Sequence, residues 1–319
     1  MSQINQMLKN PLFYAKILLF GEYGIIQDSM GLSIPFNFYK GKLIFSDLSI
    51  EGNAESNASL KKFYDYLVTK NQIDSCLPLL NLQKFEQDIN NGLSFDSSIP
   101  QGFGVGSSGA LVAAIYDQYA IDKIEPEKSI DKKAILQLKN WFGQMENFFH
   151  GRSSGLDPLI CYLNIPMLIK SKNDVDAIGI PSENKDGKGA IFLLDSGSPG
   201  ETQPMVNIFM EKMKHEGFRK VLSEQFKKYN DECIKAFLNH DFAPLFNNLK
   251  KLSNVVLEHF KPMIPKTFHK LWQEGIDSNT YYLKLCGSGG GGYILGFAPD
   301  YEKALPKLKA YSPEVIYTF

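Results

Sequence analysis

The segment Pro100-Gln-Gly-Phe-Gly-Val-Gly-Ser-Ser-Gly-Ala110 decides the fold, because it joins a glycine-rich turn to the start of a predicted helix that continues to Ile121. Backbone amides at a helix start, with the positive end of the helix dipole, form a site for anions such as phosphate. Ser107 and Ser108 add hydroxyl groups for a phosphate oxygen or a magnesium ion, and Ser108 is predicted to cap the helix. A tight, permissive turn is the alternative interpretation, and the two serines favour phosphate.

Two other nucleotide-binding patterns fit this segment poorly. Gly104, Gly106 and Gly109 match the dinucleotide pattern G-x-G-x-x-G, which requires a following strand that ends in an acid about 20 residues on. Asp122 has that spacing but directly follows the predicted helix, so no room is left for the strand. The Gly-Lys-Ser/Thr ending of the nucleoside-triphosphatase loop is absent from the sequence. A nicotinamide-dependent oxidoreductase is therefore disfavoured.

Two acidic residues downstream, Glu146 and Asp157, form a second constellation. A helix is predicted from Ser129 to His150, and Glu146 lies at the edge of its apolar stripe, which comprises Ile135, Leu138, Phe142, Met145 and Phe149. Asp157 precedes Pro158 and is predicted to cap a short helix, which is its simplest non-catalytic interpretation. Magnesium takes one or two protein carboxylates beside phosphate, and a hydroxyl nucleophile needs an acceptor for its proton. The two acids can divide these tasks.

Lys16 lies in a predicted apolar strand from Tyr14 to Phe20, just before Glu22. A cation in such a strand needs a partner or a function, because uncompensated burial is costly. The alternative is an edge lysine whose amine reaches water. For Glu22, a surface salt bridge or a cap is the competing interpretation.

A further glycine-rich run, Gly287-Ser-Gly-Gly-Gly-Gly292, separates two predicted strands, Tyr281–Leu285 and Tyr293–Phe297. Glycine in such a place is typical of sites where a ligand or another backbone approaches closely, and a simple hairpin rarely needs so many glycines. The run therefore predicts a close approach of that kind.

The composition is that of a globular protein. The chain has 319 residues, 44% of them apolar and 22% charged, which predicts two domains. A net charge of -1 argues against a nucleic-acid partner or an anionic membrane surface. The start, residues 1–10, is polar, and the longest apolar run, Ala110–Tyr116, is too short to cross a bilayer. A cytoplasmic protein is predicted.

The cysteines and the five histidines show no metal-ligand spacing, which disfavours a zinc site or a disulfide framework. Each cysteine is instead predicted to be a small buried hydrophobe. The four are Cys76, Cys161, Cys233 and Cys286.

The order of predicted elements indicates an α+β fold in two lobes. The first third is predicted to contain strands at Gly31–Phe38 and Lys42–Asp47 and helices at Ser59–Lys70 and Pro78–Ile89. The stretch Pro204–Lys270 is predicted to be mostly helical, and strands return near the end. The stretch 174–181 and the polar stretch 182–189 predict a boundary region between an N-terminal ATP-binding domain, 1–184, and a C-terminal domain, 185–319.

Three motifs, in this order, resemble those of the galactokinase, homoserine kinase, mevalonate kinase and phosphomevalonate kinase (GHMP) superfamily. The first is Lys16-Ile-Leu-Leu-Phe-Gly-Glu-Tyr-Gly24, the second is Pro100–Ala110, and the third is Lys284-Leu-Cys-Gly-Ser-Gly-Gly-Gly-Gly292. Together they span nearly the whole chain. The resemblance implies the two-lobed GHMP kinase fold, with ATP and substrate in the cleft between N-terminal and C-terminal α/β domains.

Within the superfamily the chain is most similar to mevalonate kinases. His150-Gly-Arg-Ser-Ser-Gly-Leu-Asp157, with Glu146 upstream, and Leu194-Asp-Ser-Gly-Ser-Pro-Gly-Glu-Thr202 resemble segments of those enzymes. The implied reaction is ATP plus mevalonate giving 5-phosphomevalonate and ADP for isoprenoid synthesis, with ATP and Mg²⁺ as cofactors. The implied partner is a small-molecule substrate, with no nucleic acid and no membrane, and a homodimer is compatible with the pattern.

The resemblance also implies a role for each matched residue. Asp157 is the base that faces the substrate hydroxyl, and Lys16 positions it and stabilises charge. Ser108 and Glu146 hold magnesium, and Ser107 contacts phosphate. The phosphate loop comprises Gly102, Gly104, Gly106, Ser107, Ser108 and Gly109, and the third motif supports its closure. The residues implied to lie at the substrate are Glu22, Tyr23, Gly287 and Ser288.

Two departures from the pattern keep the acceptor open. Tyr23 stands where mevalonate kinases usually carry histidine, close to the substrate. Arg152 stands where a small polar residue is common, and it suits an additional carboxylate or phosphate on the acceptor. Phosphomevalonate or a sugar is therefore the alternative acceptor. A catalytically inactive binding protein is disfavoured because Lys16, Glu146 and Asp157 are all retained.

Overall fold

The computed structural model describes residues 11–73, 77–126 and 130–319. The polar start at residues 1–10, Cys76, and the predicted helix start at Ser129 lie outside the described residues. The described part of the chain forms two compact units. Both contain helices and strands, which confirms the predicted α+β class.

Each unit is assembled from separate stretches of chain. The first unit takes the chain up to Lys16 together with the stretches Pro35–Pro100 and Gly106–Asn164. The second takes the stretches Ile17–Ile34, Gln101–Val105 and Ile165–Phe319. The division therefore falls inside the first strand and inside the glycine-rich segment. The domain limits predicted from the sequence, 1–184 and 185–319, follow chain order instead and stay a prediction.

Two long strands run through both units, β1 (Phe13–Phe20) and β2 (Gly31–Phe45). In the first unit, Gly41–Phe45 pairs antiparallel with β3, and in the second, Gly31–Ser33 pairs antiparallel with β4. The prediction of two separate strands at Gly31–Phe38 and Lys42–Asp47 is wrong. Strand length depends on the partners that a segment finds across the sheet more than on its own residues.

The remaining elements of the first unit are helices around one short strand. They are α1 (Glu51–Ile73), α2 (Leu82–Asn90), β3 (Leu93–Ser97), α3 (Ser107–Tyr119), α4 (Lys132–His150) and α5 (Leu156–Leu163). The predicted helix ending at His150 is confirmed, with Asp131 as its N-cap: the Asp131 side chain accepts a hydrogen bond from the Ala134 amide. Its apolar stripe is buried at Ile135, Leu138, Phe142 and Met145 and half-buried at Phe149, as the helical period predicts for a helix that faces the core.

Helices α3, α4 and α5 pack together in the core of the first unit. The Tyr116 ring of α3 makes edge contacts with Phe142 of α4 and Tyr162 of α5, each with ring centroids 5.1 Å apart. A Cβ atom on Gly109 would lie 2.8 Å from the carbonyl carbon of Asp157, so glycine is needed where α3 meets the start of α5. This packing brings the residues that follow the glycine turn close to both predicted acids.

The second unit combines a four-stranded antiparallel sheet, in the order β7-β8-β6-β9, with a set of helices. The strands of this sheet are β6 (Ala190–Asp195), β7 (Tyr282–Leu285), β8 (Tyr293–Ala298) and β9 (Glu314–Thr318). The unit also contains β4 (Met167–Ser171) and β5 (Asp174–Ala177), which pair with each other. Strand β5 lies in the predicted boundary region and was not predicted. Its helices are α6 (Thr202–Met213), α7 (Glu216–Val221), α8 (Lys227–Leu238), α9 (Phe242–His259), α10 (Phe268–Ser278) and α11 (Tyr301–Leu308). The mostly helical stretch predicted at Pro204–Lys270 is confirmed.

Three cysteines lie within the described residues, Cys161, Cys233 and Cys286, and all three are buried and outside any disulfide. For these three, the prediction of small buried hydrophobes is confirmed. Burial raises the pKa of the Cys161 and Cys233 thiols well above the ordinary value. Across the described ranges, no helix is long and apolar enough to cross a membrane.

Candidate active site

Glycines set the backbone of the candidate phosphate loop. Gly102, Gly104 and Gly106 have φ angles of 79°, 80° and 86°, which glycine adopts without strain. Gly106 is the N-cap of α3 and makes no side-chain cap, so the prediction that Ser108 caps this helix is wrong. Ser107 and Ser108 instead lie in the first turn, where the backbone N–H groups have no acceptor within the helix. This helix start can therefore donate to an anion.

The glycine run Gly287–Gly292 lies against the first half of the loop, within the second unit. A Cβ atom on Gly287 would lie 3.0 Å from the Gly104 Cα atom, and one on Gly292 would lie 2.6 Å from the Gly102 carbonyl oxygen. The predicted close approach to another backbone is confirmed. Side chains at these positions would separate the two segments.

Lys16 and Asp157 form an ion pair in the first unit, with the Lys16 Nζ atom 2.8 Å from Asp157 Oδ1. The lysine side chain is 3% exposed and the aspartate side chain is 40% exposed. The interpretation of Lys16 as an edge lysine that reaches water is therefore wrong. Its stem packs against the loop, since a Cβ atom on Gly106 would lie 2.9 Å from Lys16 Cγ. The pair keeps a cation beside a carboxylate that remains accessible.

Asp157 does not cap α5, contrary to the prediction from Pro158. The N-cap is Gly155, with a φ angle of 73°, and Asp157 lies in the first turn of the helix. The glycine turns the chain into the helix earlier than the proline alone indicates. The carboxylate is thereby free of the capping role and pairs with Lys16.

Glu146 is buried on α4, and serine hydroxyls contact both of its carboxylate oxygens. Ser108 donates to Oε1 at 2.9 Å, and Ser153 donates to Oε2 at 2.5 Å. Burial and then the charge of Asp157 raise the pKa of Glu146 to about 7, and these two hydrogen bonds and Lys16 act in the opposite direction. A cation bound at this carboxyl would favour its ionised form.

Two residues of this cluster, His150 and Ser153, were not singled out by the sequence reasoning. His150 Nε2 lies 3.0 Å from Ser108 Oγ. When Glu146 is ionised, Ser108 donates its one proton to Glu146, and His150 Nε2 is then the donor to Ser108 Oγ. Burial lowers the pKa of His150, which favours a neutral ring. The spacing of four residues between Glu146 and His150 on a helix is the signal that could have found the histidine.

Ser108 and Glu146 provide oxygen donors of the kind that magnesium prefers. In the described stretches of chain, no group of three or more His, Cys, Asp or Glu side chains is arranged to hold a metal ion. Magnesium usually takes only one or two protein carboxylates and completes its shell with water and phosphate oxygens. The residues present therefore fit a magnesium ion shared with a nucleotide.

The four residues implied to lie at the substrate all belong to the second unit: Glu22, Tyr23, Gly287 and Ser288. Glu22 forms a buried ion pair with Lys284, so the interpretations as a surface salt bridge or a cap are wrong. The Tyr23 hydroxyl donates to the Ser288 carbonyl oxygen at 2.7 Å, and Gly287 has a φ angle of 72°. Arg152, the other departure, is exposed. Contact of these residues with a substrate stays a prediction.

The family model described as the GHMP kinases N terminal domain matches residues 73–164. The chain is 25% identical over 207 residues to a mevalonate kinase from Archaeoglobus fulgidus, a match that covers 64% of each protein and so less than two thirds of that relative. It is 23% identical over 312 residues to a mevalonate kinase from Pyrococcus abyssi, which covers 91% of this chain and 88% of that protein.

Solved structures of three different kinases share the fold. The L. major mevalonate kinase in complex with R-mevalonate has a TM-score of 0.63 at 14% identity and covers 100% of this chain and 99% of its own. The Streptococcus pneumoniae phosphomevalonate kinase in complex with phosphomevalonate and AMPPNP has a TM-score of 0.62 at 12% identity, covering 97% and 99%. The Lactococcus lactis galactokinase complexed with galactose has a TM-score of 0.63 at 10% identity, covering 97% and 94%. Since the three acceptors differ, the fold does not select one.

Proposed function

We propose that this chain, whose residues 73–164 match the GHMP kinases N terminal domain and whose two curated relatives are mevalonate kinases, is a GHMP kinase that transfers the terminal phosphoryl group of ATP to a hydroxyl group of a small molecule. We propose mevalonate as the acceptor and 5-phosphomevalonate as the product. A cytoplasmic location and a homodimer stay predictions from the sequence.

The pairing of Lys16 with Asp157 carries the proposal. Phosphoryl transfer asks a protein mainly for positioning and charge stabilisation. Asp157 accepts the proton of the attacking hydroxyl, since its carboxylate is accessible and paired with a lysine. Lys16 orients that carboxylate and stabilises negative charge near it. Glu146 cannot take the same part, because it is buried and both of its oxygens are engaged by serines.

We assign the phosphates to the glycine loop and to the first turn of α3, with the Ser107 hydroxyl beside them. Ser108 and Glu146 are the proposed magnesium ligands, and the ion would neutralise charge on the phosphate oxygens when bound. Ser153 orients the Glu146 carboxylate, and His150 orients the Ser108 hydroxyl. Partners of this kind fix the direction of metal ligands.

The choice of acceptor is supported by the two curated relatives, which are both mevalonate kinases. Phosphomevalonate is the second candidate, because the exposed guanidinium of Arg152 stands one residue before Ser153 and can bind a phosphate group in a bidentate manner. The fold is equally compatible with a sugar, as the galactokinase likeness illustrates.

The test is ADP release with Mg-ATP and each of three acceptors, mevalonate, phosphomevalonate and galactose, with product identity checked by mass spectrometry. We expect kcat/KM for mevalonate to exceed that of the other two by at least about tenfold, the discrimination that one well-placed contact provides. A preference for phosphomevalonate or galactose would reject mevalonate and retain the kinase. ATP turnover that none of the acceptors stimulates, without a phosphorylated product, would count against the proposed activity with these acceptors.

A further inference from the structure

Tyr23 connects the turn after β1 with the third motif, the run 284–292. Its backbone has φ 59° and ψ -33°, a region that non-glycine residues occupy only where their surroundings hold them. The ring packs on Phe209 and Phe260, with centroids 4.6 and 6.0 Å away. The hydroxyl donates to the Ser288 carbonyl oxygen at 2.7 Å. Only 8% of the residue is exposed, and the side-chain contacts just described all lie within the second unit.

Glu22, the preceding residue, holds the same run at its other end. Lys284 Nζ lies 2.5 Å from Glu22 Oε2 and also donates to the Leu285 carbonyl oxygen at 3.1 Å. Both side chains of the pair are buried. Two consecutive residues of one turn thus contact the run at Lys284 and at Ser288.

The run in turn supports residues 101–105 of the phosphate loop. Gly104 has no room for a side chain because the Cys286 carbonyl group occupies that space. The Tyr293 amide donates to the Phe103 carbonyl oxygen at 3.3 Å. All of these contacts lie within the second unit, and residues 101–105 lead directly into the start of α3.

We infer that Tyr23 is a positioning residue for nucleotide binding: its hydroxyl holds the run 284–292 where that run supports residues 101–105. The inference rests on the proposed function for the nucleotide. It replaces the acceptor contact that the family pattern implies at this position, since the phenolic proton is given to Ser288 and the buried ring leaves little of the residue exposed to a ligand. Substituting Tyr23 should therefore weaken nucleotide binding and leave the KM for the acceptor unchanged.

The test compares Tyr23→Phe with Tyr317→Phe. Tyr317, on β9, is a matched control because its buried hydroxyl also donates to a backbone carbonyl, that of Pro181, at 2.8 Å. We expect Tyr23→Phe to weaken binding of Mg-AMPPNP, measured by calorimetry, on the order of threefold to tenfold, the effect of one lost hydrogen bond. The KM for the acceptor should stay within about twofold. Tyr317→Phe should lower thermal stability and leave both values unchanged.

Amide hydrogen exchange of the ligand-free protein gives a second readout that needs no nucleotide. The Gly290 and Gly292 amides donate to the carbonyl oxygens of Met263 and Ser198, and their exchange should accelerate in Tyr23→Phe and not in Tyr317→Phe. Unchanged exchange, unchanged nucleotide affinity, or a raised acceptor KM in Tyr23→Phe would overturn the inference, as would equal nucleotide loss in the control. A wild-type protein that does not bind Mg-AMPPNP would reject the proposed function, while exchange would still show whether Tyr23 holds the run.

Discussion

Among the described residues, two lysine–carboxylate pairs each take one partner from the first motif and lie in different units. Lys16 pairs with Asp157 in the first unit, and Glu22 pairs with Lys284 in the second. In the first pair the aspartate side chain is 40% exposed, whereas in the second the side chains of glutamate and lysine are 6% and 5% exposed. The chemical groups are alike, and their access to solvent is not.

This difference in access separates a reactive pair from a structural one. A carboxylate that must take a proton from a substrate has to be reachable, and Asp157 meets that condition. When both side chains of a pair are buried, no substrate can reach either of them, and the pair serves to connect two segments. Glu22 and Lys284 connect the first motif to the third motif in this way. Substitutions in the two pairs test that assignment.

The largest expected effect is on folding, from Glu22→Gln. Removing one partner of a buried pair leaves the other charge uncompensated, so the free energy of unfolding should fall by about 3–5 kcal/mol. Urea denaturation measures it. Glu211→Gln is the control: it removes a pair of similar length, 2.7 Å, between side chains that are each 69% exposed, and should cost less than about 1 kcal/mol. Equal effects in the two variants would contradict the structural role of Glu22.

Asp157→Asn should act mainly on the chemical step. We expect kcat to fall by about 10²-fold or more, because the hydroxyl loses its proton acceptor, while Mg-AMPPNP binding changes little. Asp117→Asn is the control variant. Asp117 lies on α3 in the same unit, pairs with Lys123 at 2.6 Å, and is outside the proposed site. Normal turnover in Asp157→Asn would remove Asp157 from its role.

Glu146→Gln should act on the metal. We expect the Mg²⁺ concentration for half-maximal ADP release to rise at least about tenfold, because one of the two proposed protein ligands loses its charge. Ser153→Ala should produce a smaller change in the same direction, since it removes only the hydrogen bond to Glu146 Oε2 and leaves the charge of the carboxylate in place. A metal titration identical to that of the wild type would count against Glu146 as a ligand.

The smallest expected effect is on pH dependence. Burial and the Asp157 charge raise the pKa of Glu146 from 4.5 to about 7, so the folded protein retains a proton that the unfolded chain has released. The stability of the ligand-free protein should therefore fall as pH rises through this window, by up to about 1.4 kcal/mol per pH unit between the two pKa values. Urea denaturation of the wild type and of Glu146→Gln at both ends of the window gives the contribution. A difference that does not vary with pH would reject the raised pKa.

Local pattern predicted the elements that carry the site. The apolar period of α4 predicted a helix that ends at His150, and the apolar stretch from Tyr14 to Phe20 predicted β1. Errors arose where one glycine overrode a neighbouring signal: Gly106 and Gly155 start α3 and α5, although Ser108 and Asp157 are the better capping residues by type. Glycine adopts a positive φ angle without strain, and other residues do so only at a cost. The position of the glycine therefore decides where the helix starts, even when a neighbouring serine or aspartate is the preferred capping residue.

The sequence by itself determined the class of fold, the glycine turns and the identity of the charged residues, because backbone freedom and helical period are properties of short segments. Only the tertiary structure decided which charges meet and how far each is buried. Lys284 and Glu22 are 262 positions apart, and nothing local to either indicates the other. Burial raises the pKa of Glu146, because desolvation depends on everything that packs around a group. The tertiary structure also brings the Tyr23 hydroxyl to the Ser288 carbonyl oxygen, far away along the chain.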